Sequence, residues 1–312
     1  MSEVTFNPSK DVPDLSGRVY LVTGGTSGLG AGFISLIAAA SPSKIFLSGR
    51  SKTKAHALIS KVSAISPSTE LIFLEADLSS LASVRQMAQT FLAQSNRLDV
   101  LMCNAGIMGT PPGLSADGYE IQFGTNHVGH ALLIKLLLPV LLSTASQPDA
   151  DVRIISMSSV AHTLTPPSGI EFDSLRTPQD GLAPFYQPSN FTRYGQSKLA
   201  NLLYARQLAL HYPQLLSVSV HPGFVKTDMV SGASLRDRAI VAMASKGKWT
   251  KVDEGPWNQT WAATAEREGL RNGAYYEPIG VDVRSSTKWV DDKVLGERLW
   301  TWTEGELEAW VL

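Results

Sequence analysis

The chain has 312 residues, 44% of them hydrophobic, with 27 Lys and Arg against 28 Asp and Glu and a net charge of -1. That length and apolar content support a large buried core, and the even charge gives no reason to expect nucleic acid or an anionic membrane as partner. A single cysteine, Cys103, excludes an intrachain disulfide and a multi-cysteine metal site, so no metal is expected, and it fits a reducing compartment such as the cytoplasm.

From the N-terminus, MSEVTFNPSKDVPDLSG is polar and lacks the apolar core of a secretion signal. The apolar run RVYLVT from Arg18 reads as a buried strand and leads into TGGTSGLG, Thr23 to Gly30, where four glycines fall within seven residues. Glycine at that density costs chain entropy, which implies a tight turn or a close approach to another group. The first strand-to-helix turn of a parallel sheet suits a dinucleotide pyrophosphate, and Gly24, Thr26, Ser27, Gly28, Leu29 and Gly30 are placed there. A purely structural glycine turn fits the same residues, since the spacing is not the common G-x-G-x-x-G.

The second strand, KIFLSG from Lys44, ends about 20 residues further on, where an NAD site is expected to carry a ribose-binding acid. From Leu15 through Thr69 there is no Asp or Glu, while Arg18, Lys44, Arg50, Lys52, Lys54 and Lys61 are basic. A carboxylate at Gly49 would repel a 2′-phosphate. Arg50 can bond one bidentately and Lys54 adds charge, so the expected cofactor is NADP(H); a solvated basic helix start is the alternative.

Apolar runs continue at LIFLEAD from Leu71, LDVLMCNAG from Leu98, VRIISMSS from Val152 and LSVSVHPG from Leu216. Segments of helical length separate them at Ser79 to Gln94, Asn126 to Thr144 and Gln196 to His211. This alternation predicts an α/β fold, a single Rossmann-type doubly wound parallel sheet with helices on both faces. HALLIKLLLPVLL, His130 to Leu142, is too short for a membrane span and carries Lys135, so it reads as a buried or interface helix and no transmembrane segment is expected. Proline-rich stretches at 163–192 and 231–257 are read as insertions near a site. One domain over 1–312 is expected, with its core at about 15–282 and a helical C-terminal extension at 283–312.

In RYGQSKLAN, Tyr194 and Lys198 stand at i and i+4, on one face of a helix. A phenol with its ordinary pKa near 10 is a poor acid–base group at neutral pH, but an ammonium favours the phenolate. At roughly 4 Å and an effective dielectric near 20 that attraction is on the order of 4 kcal/mol, or about three pKa units, which would bring the tyrosine into the useful range.

With these residues in place the chain resembles the short-chain dehydrogenase/reductase family, over roughly Leu15 to Asp282. The family's adenine-side acid would be Asp77, followed by Leu78, in ADLSS, and its N-A-G turn would be Asn104, Ala105 and Gly106. Its helix asparagine would be Asn126 in NHVGH and its serine Ser159 in SMSSVAH. HPGFVKT resembles the segment that closes over nicotinamide, with Pro222, Gly223, Val225 and Thr227. Ser159 precedes Tyr194 by 35 residues, whereas short-loop members have thirteen. GIEFDSLR followed by YGQSKLANLLYARQLA resembles the retinol-dehydrogenase-like branch, in which such an insertion occurs and which favours Ser159 over Ser156 or Ser158. Cys103 stands where many relatives have asparagine, and is read as a small residue packed behind Asn104.

The resemblance implies a hydride transfer between NADP(H) and a carbonyl or alcohol. Tyr194 would be the proton donor and Ser159 would hold the same oxygen; Lys198 would bind the nicotinamide ribose, and Asn126 would hold a water that refills the proton. Relatives that reduce C=C bonds or epimerise, and a non-catalytic NADP-responsive protein, are the alternatives. His127, His130, His162 and His221 show no metal-ligand spacing and are read as hydrogen-bonded structure. Trp249, Trp257, Met229 and Met243 point to a bulky apolar or aromatic small molecule, although residues of this kind are as often plain core. In the family the helices beginning near Asn126 and after Tyr194 commonly pair across a twofold axis, so a homodimer is expected, unless the tail LGERLWTWTEGELEAWVL covers that surface.

Overall fold

The computed structural model describes residues 4–182, 188–226 and 234–311. A short helix, α1 (Pro8–Asp11), is capped by Asn7 and precedes β1 (Val19–Val22), which runs through the glycine turn into α2 (Gly28–Ala38). Next come β2 (Lys44–Gly49), α3 (Lys52–Ser63), β3 (Glu70–Glu75), α4 (Leu81–Leu92) and β4 (Val100–Cys103). Serines start both intervening helices: Ser51 accepts from the Lys54 N–H and Ser80 from the Ser83 N–H, each satisfying a donor with no partner inside its helix. One continuous helical run then joins α5 (Ile121–Phe123), a π-helical turn at Gly124–Val128 and α6 (Gly129–Ala145). β5 (Arg153–Met157), α7 (Ser189–His211) and β6 (Leu216–Val220) complete the second half.

The strands form an eight-stranded sheet in the order β10-β9-β6-β5-β4-β1-β2-β3. All neighbours are parallel except the last hairpin, β9 (Tyr275–Glu277) with β10 (Val281–Asp282). These two short strands are additions that the apolar pattern did not announce. Because β1 lies between β2 and β4, the chain reverses direction across the sheet there, and the crevice beyond the strand ends is where such folds bind ligands. Alternate strand residues face two cores. Leu21, Phe46, Leu101 and Ile154 pack with α4, α6 and α7, while Tyr20, Val22, Ile45, Met102 and Val218 pack with α2. Cys103 is buried in the first core, and burial pushes its thiol up, so it is a packed residue rather than a reactive one.

The helix from Ile121 to Ala145 is 25 residues long, and by length and composition it is long and apolar enough to cross a membrane. The expectation that this run is too short therefore fails: the helix starts nine residues before His130, through the π turn. Its most apolar window is 61% buried in the fold, against α4, α7 and the C-terminal helix, and that packing accounts for its composition.

That last helix, α10 (Lys293–Val311), follows α8 (Leu235–Ala244), the pair β7 (Phe224–Val225) with β8 (Trp249–Thr250), and α9 (Trp257–Thr264). It buries Leu295, Leu299, Thr303 and Leu307, spaced every four residues, against α6 and α7. Three leucines at about 2 kcal/mol each make this face worth on the order of 6 kcal/mol. Thr303 bonds the His127 ring at 3.0 Å, Trp300 stacks on Tyr204 at 5.2 Å, and Lys135 pairs with Glu304. The surface on which a twofold helix pairing is expected is thus covered by the chain's own tail.

Candidate active site

The glycine turn is held from below. Gly24 has φ +62°, and a Cβ there would come within 3.0 Å of Ala105; a Cβ at Gly30 would lie 2.4 Å from the Gly24 carbonyl. Asn104 Nδ2 donates to the Thr23 carbonyl at 2.8 Å, so the N-A-G turn fixes the glycine loop. The Ala105 N–H donates to Thr23 Oγ1 at 3.0 Å. Thr23 lies 2.8 Å from His130 Nε2, and His130 Nδ1 lies 2.9 Å from the Asn126 carbonyl. A carbonyl only accepts, so Nδ1 carries the proton and Nε2 accepts from the threonine. Burial lowers His130 to about 4, which keeps it in that neutral form. His130 is hydrogen-bonded structure, as expected.

At the end of β2, Arg50 and Lys54 are exposed, and neither enters an ion pair among the described residues, whereas Lys52 pairs with Glu75 at 3.0 Å. A Cβ at Gly49 would lie 2.8 Å from Thr26 Oγ1, so steric contact as well as charge disfavours an acidic side chain there. Thr26, Ser27, Gly28 and Leu29 line the same end of the sheet, and a Cβ on Gly28 would meet open space. Asp77 accepts from the Ser79 N–H at 2.9 Å and hydroxyl at 2.8 Å within its own turn, and Leu78 is buried where α6 crosses. A donor-rich glycine turn with two unpaired cations beside it fits a phosphorylated dinucleotide.

Across the crevice, Asn126 sits in the π turn and clamps Ile107: its Oδ1 accepts from the Ile107 N–H at 2.8 Å and its Nδ2 donates to the Ile107 carbonyl at 2.9 Å. A Cβ on Gly106 would lie 3.1 Å from Asn126 Oδ1 and 3.4 Å from Lys198 Nζ, so these two side chains meet at the N-A-G turn. Tyr194 and Lys198 lie on one face of α7, both buried, with Nζ 5.6 Å from the phenol ring centroid. Nζ donates to the Met157 carbonyl at 2.9 Å. The Ser159 side chain lies near enough to Tyr194 to favour its ionised form and accepts from the Ala161 N–H at 3.2 Å, while Ser158 Oγ is committed to the Lys198 carbonyl at 2.8 Å. Of the three serines, Ser159 is the one the fold brings to the tyrosine.

The electrostatics correct one expectation. Burial pushes Tyr194 up to about 12, opposed by the nearby Ser159 hydroxyl, and burial lowers Lys198 to about 8. Desolvation outweighs the attraction inferred from the i, i+4 spacing, which ignored what burial does to each charged form.

On the remaining side, Pro222 and Gly223 follow β6, and Val225 is buried and paired with Thr250. Gly255 packs against Leu29 and Val225, which brings the end of the 231–257 segment onto the glycine-turn helix. Thr227 and Met229 lie outside the described residues. Trp257 packs on the second core and Met243 is 71% exposed, so neither supports the bulky-substrate reading; Trp249 stands opposite Phe224 in the β7–β8 pair.

Comparison with known proteins decides the family. The short chain dehydrogenase profile matches residues 18–171. A short-chain dehydrogenase/reductase of Aspergillus calidoustus is 33% identical over 309 residues, 95% of each chain, and an uncharacterized oxidoreductase of Schizosaccharomyces pombe is 40% identical over 283 residues, 88% of this chain and 80% of that one. The chain belongs to the short-chain dehydrogenase/reductase family. Among solved structures it resembles a blue fluorescent protein from a metagenomic library in complex with NADPH, with a TM-score of 0.64 and 27% identity over 86% of this chain and 98% of that one. As a member of this oxidoreductase family it takes a nicotinamide cofactor and a small-molecule substrate.

In this short-chain dehydrogenase/reductase His162 is hydrogen-bonded structure, as expected, whereas the Arg193–Glu120 pair was not expected. His162 lies 2.6 Å through Nδ1 from the Ser159 carbonyl and 2.5 Å through Nε2 from Ser286 Oγ, tying the serine turn to the C-terminal segment. Arg193, next to Tyr194, forms a fully buried ion pair with Glu120 at 2.8 Å. The only sequence signal for that pair was the adjacency of Arg193 to Tyr194.

Proposed function

We propose that the protein interconverts a carbonyl and an alcohol with NADP(H), working as a reductase at neutral pH. The observation that carries this reading is Tyr194 and Lys198 on one buried face of α7, with Nζ 5.6 Å from the phenol ring centroid and Ser159 beside the tyrosine. Bound NADPH supplies a hydride to the carbonyl carbon. Negative charge would then develop on the carbonyl oxygen, where Tyr194 would donate its phenolic proton and Ser159 a hydrogen bond to the same atom. A phenol held near 12 remains protonated at pH 7, which suits a donor and not a base. Lys198 would orient the nicotinamide ribose, and Asn126, whose Nδ2 already donates to the Ile107 carbonyl and Ser197 Oγ, would hold through an oxygen lone pair the water that returns a proton to Tyr194 by way of Lys198.

For the cofactor, Gly24, Thr26, Ser27, Gly28, Leu29 and Gly30 are assigned to the pyrophosphate, and Asp77, Leu78, Asn104, Ala105 and Gly106 to the adenine side and the nicotinamide ribose. Pro222, Gly223, Val225 and Thr227 are assigned to the nicotinamide. Arg50 and Lys54 would take the 2′-phosphate, and the NADPH held by the metagenomic relative supports this choice. Trp249, opposite Phe224 in the β7–β8 pair beside the Val225 segment, is our reason for keeping an aromatic or bulky apolar carbonyl compound as the substrate. The 35-residue spacing before Tyr194 is our reason for placing the chain near the retinol-dehydrogenase-like branch.

The test is a panel of aryl and alkyl ketones, aldehydes and alcohols, followed by NADPH absorbance with NADH in parallel. Reduction of at least one bulky carbonyl, faster with NADPH, is expected; consumption of NADPH only with conjugated C=C substrates would replace this reading.

A further inference from the structure

Arg193 joins three parts of the site. Its Nη1 donates to Glu120 Oε1 at 2.8 Å and its Nη2 to the Thr110 carbonyl at 2.9 Å, in the loop that follows Gly106. The second Glu120 oxygen accepts from the Phe123 N–H at 2.7 Å and so caps the helix whose next turn presents Asn126. Both charged side chains have no solvent exposure, and Arg193 Nε is buried without a hydrogen-bond partner.

Stability alone does not explain such a pair. Removing two charges from water offsets most of their attraction, and apolar side chains of similar volume commonly serve as well or better. Apolar contacts cannot fix a helix in rotation, whereas a planar guanidinium with two directional bonds can. Here α7 needs such a fixture: Pro188 gives its first turn no side-chain cap, and Tyr194 is only the sixth residue of the helix. Gln122 adds a second tether from the same turn, donating to the Asn190 carbonyl at 2.9 Å.

We propose that the Arg193–Glu120 pair is a positioning device that, with the Asn126 Nδ2 bond to Ser197 Oγ at 3.0 Å, sets Tyr194 and Asn126 in register with each other on one side of the crevice. This rests on the proposed reaction, in which Tyr194 donates the proton. A misplacement of about 1 Å costs on the order of 100-fold in rate; Lys198, one turn further along α7, is held separately by the Met157 carbonyl at 2.9 Å, so the pair acts on the chemical step more than on cofactor binding.

The test is the double variant Glu120→Gln/Arg193→Met, which removes both charges and keeps the acceptor for the Phe123 N–H. Thermal unfolding, NADPH binding by fluorescence, and kcat and KM with the best ketone of the panel are measured beside Tyr194→Phe. The expected result is a folded protein with NADPH affinity and KM within about threefold of wild type and kcat lower by about 100-fold. A folded double variant at the wild-type kcat, with Tyr194→Phe inactive, overturns the positioning role and leaves the proposed function standing. A fully active Tyr194→Phe overturns both. If the double variant does not fold, Arg193→Lys decides. It keeps the charge opposite Glu120 and loses the fork, so a lower kcat at unchanged NADPH affinity supports the proposal, and an unchanged kcat overturns it.

Discussion

Arg50 makes the most direct residue-scale prediction. A charge-assisted phosphate contact worth roughly 2 kcal/mol gives NADPH about a 30-fold advantage over NADH, and Arg50→Ala should remove most of it. Equal affinities in wild-type protein, by fluorescence titration, would leave Arg50 and Lys54 as a solvated cluster. Tyr194 sets the pH dependence. Alcohol oxidation needs the phenolate, and burial holds the group near 12, so the oxidation rate should climb with pH through the alkaline range while reduction stays flat across neutrality. An oxidation profile levelling off near pH 7 would show a far more acidic tyrosine. Tyr194, Lys198 and Arg50 were legible in the sequence because each is marked by a short spacing or a local absence of acids. The direction of the Tyr194 shift was not, because burial is set by packing. Nor was the Arg193–Glu120 pair, whose partners are 73 residues apart.

At the scale of elements, the Ser159–Tyr194 contact depends on how closely the short 3-10 turn Val160–Thr163 packs on α7. A Cβ on Gly195 would lie 2.2 Å from the Leu164 carbonyl and 2.6 Å from that of Ala161, both backbone atoms that cannot swing aside. Gly195→Ala should therefore push the serine turn away, costing about 1–3 kcal/mol of stability and at least tenfold in kcat. Unchanged kcat and melting temperature would contradict this packing. The buried imidazoles add an acid sensitivity. Burial lowers His127 to about 3, His130 to about 4 and His221 to about 3, so below pH 6.5 the unfolded chain binds protons that the folded one does not. Stability should fall as pH drops, by about 1.4 kcal/mol per histidine at pH 5.5, and His221→Asn should have a shallower decline in melting temperature than wild type. The six central strands were legible as apolar runs. β9 and β10, of three and two residues, are too short to show a period, and the π turn is invisible because its residues continue a helical pattern.

For the molecule as a whole, the C-terminal helix occupies the outer face of α6 and α7, and with α10 seated there the chain should not pair through that face. Sedimentation at micromolar concentration should show a 33.7 kDa species. A stable dimer whose interface maps to α6 and α7 would contradict the seating of α10. The tail's covering role was readable only as an alternative, since its leucine spacing shows an amphipathic helix but not the surface it meets. The proposed reaction turns on the hydroxyl of Tyr194, buried on α7 beside Lys198. Tyr194→Phe keeps the ring and its packing and removes that hydroxyl. Its kcat for reduction of the best ketone should fall by about 10² to 10⁴ while NADPH binds within a few-fold of wild type; a phenylalanine variant that reduces the ketone at the wild-type rate would contradict the account.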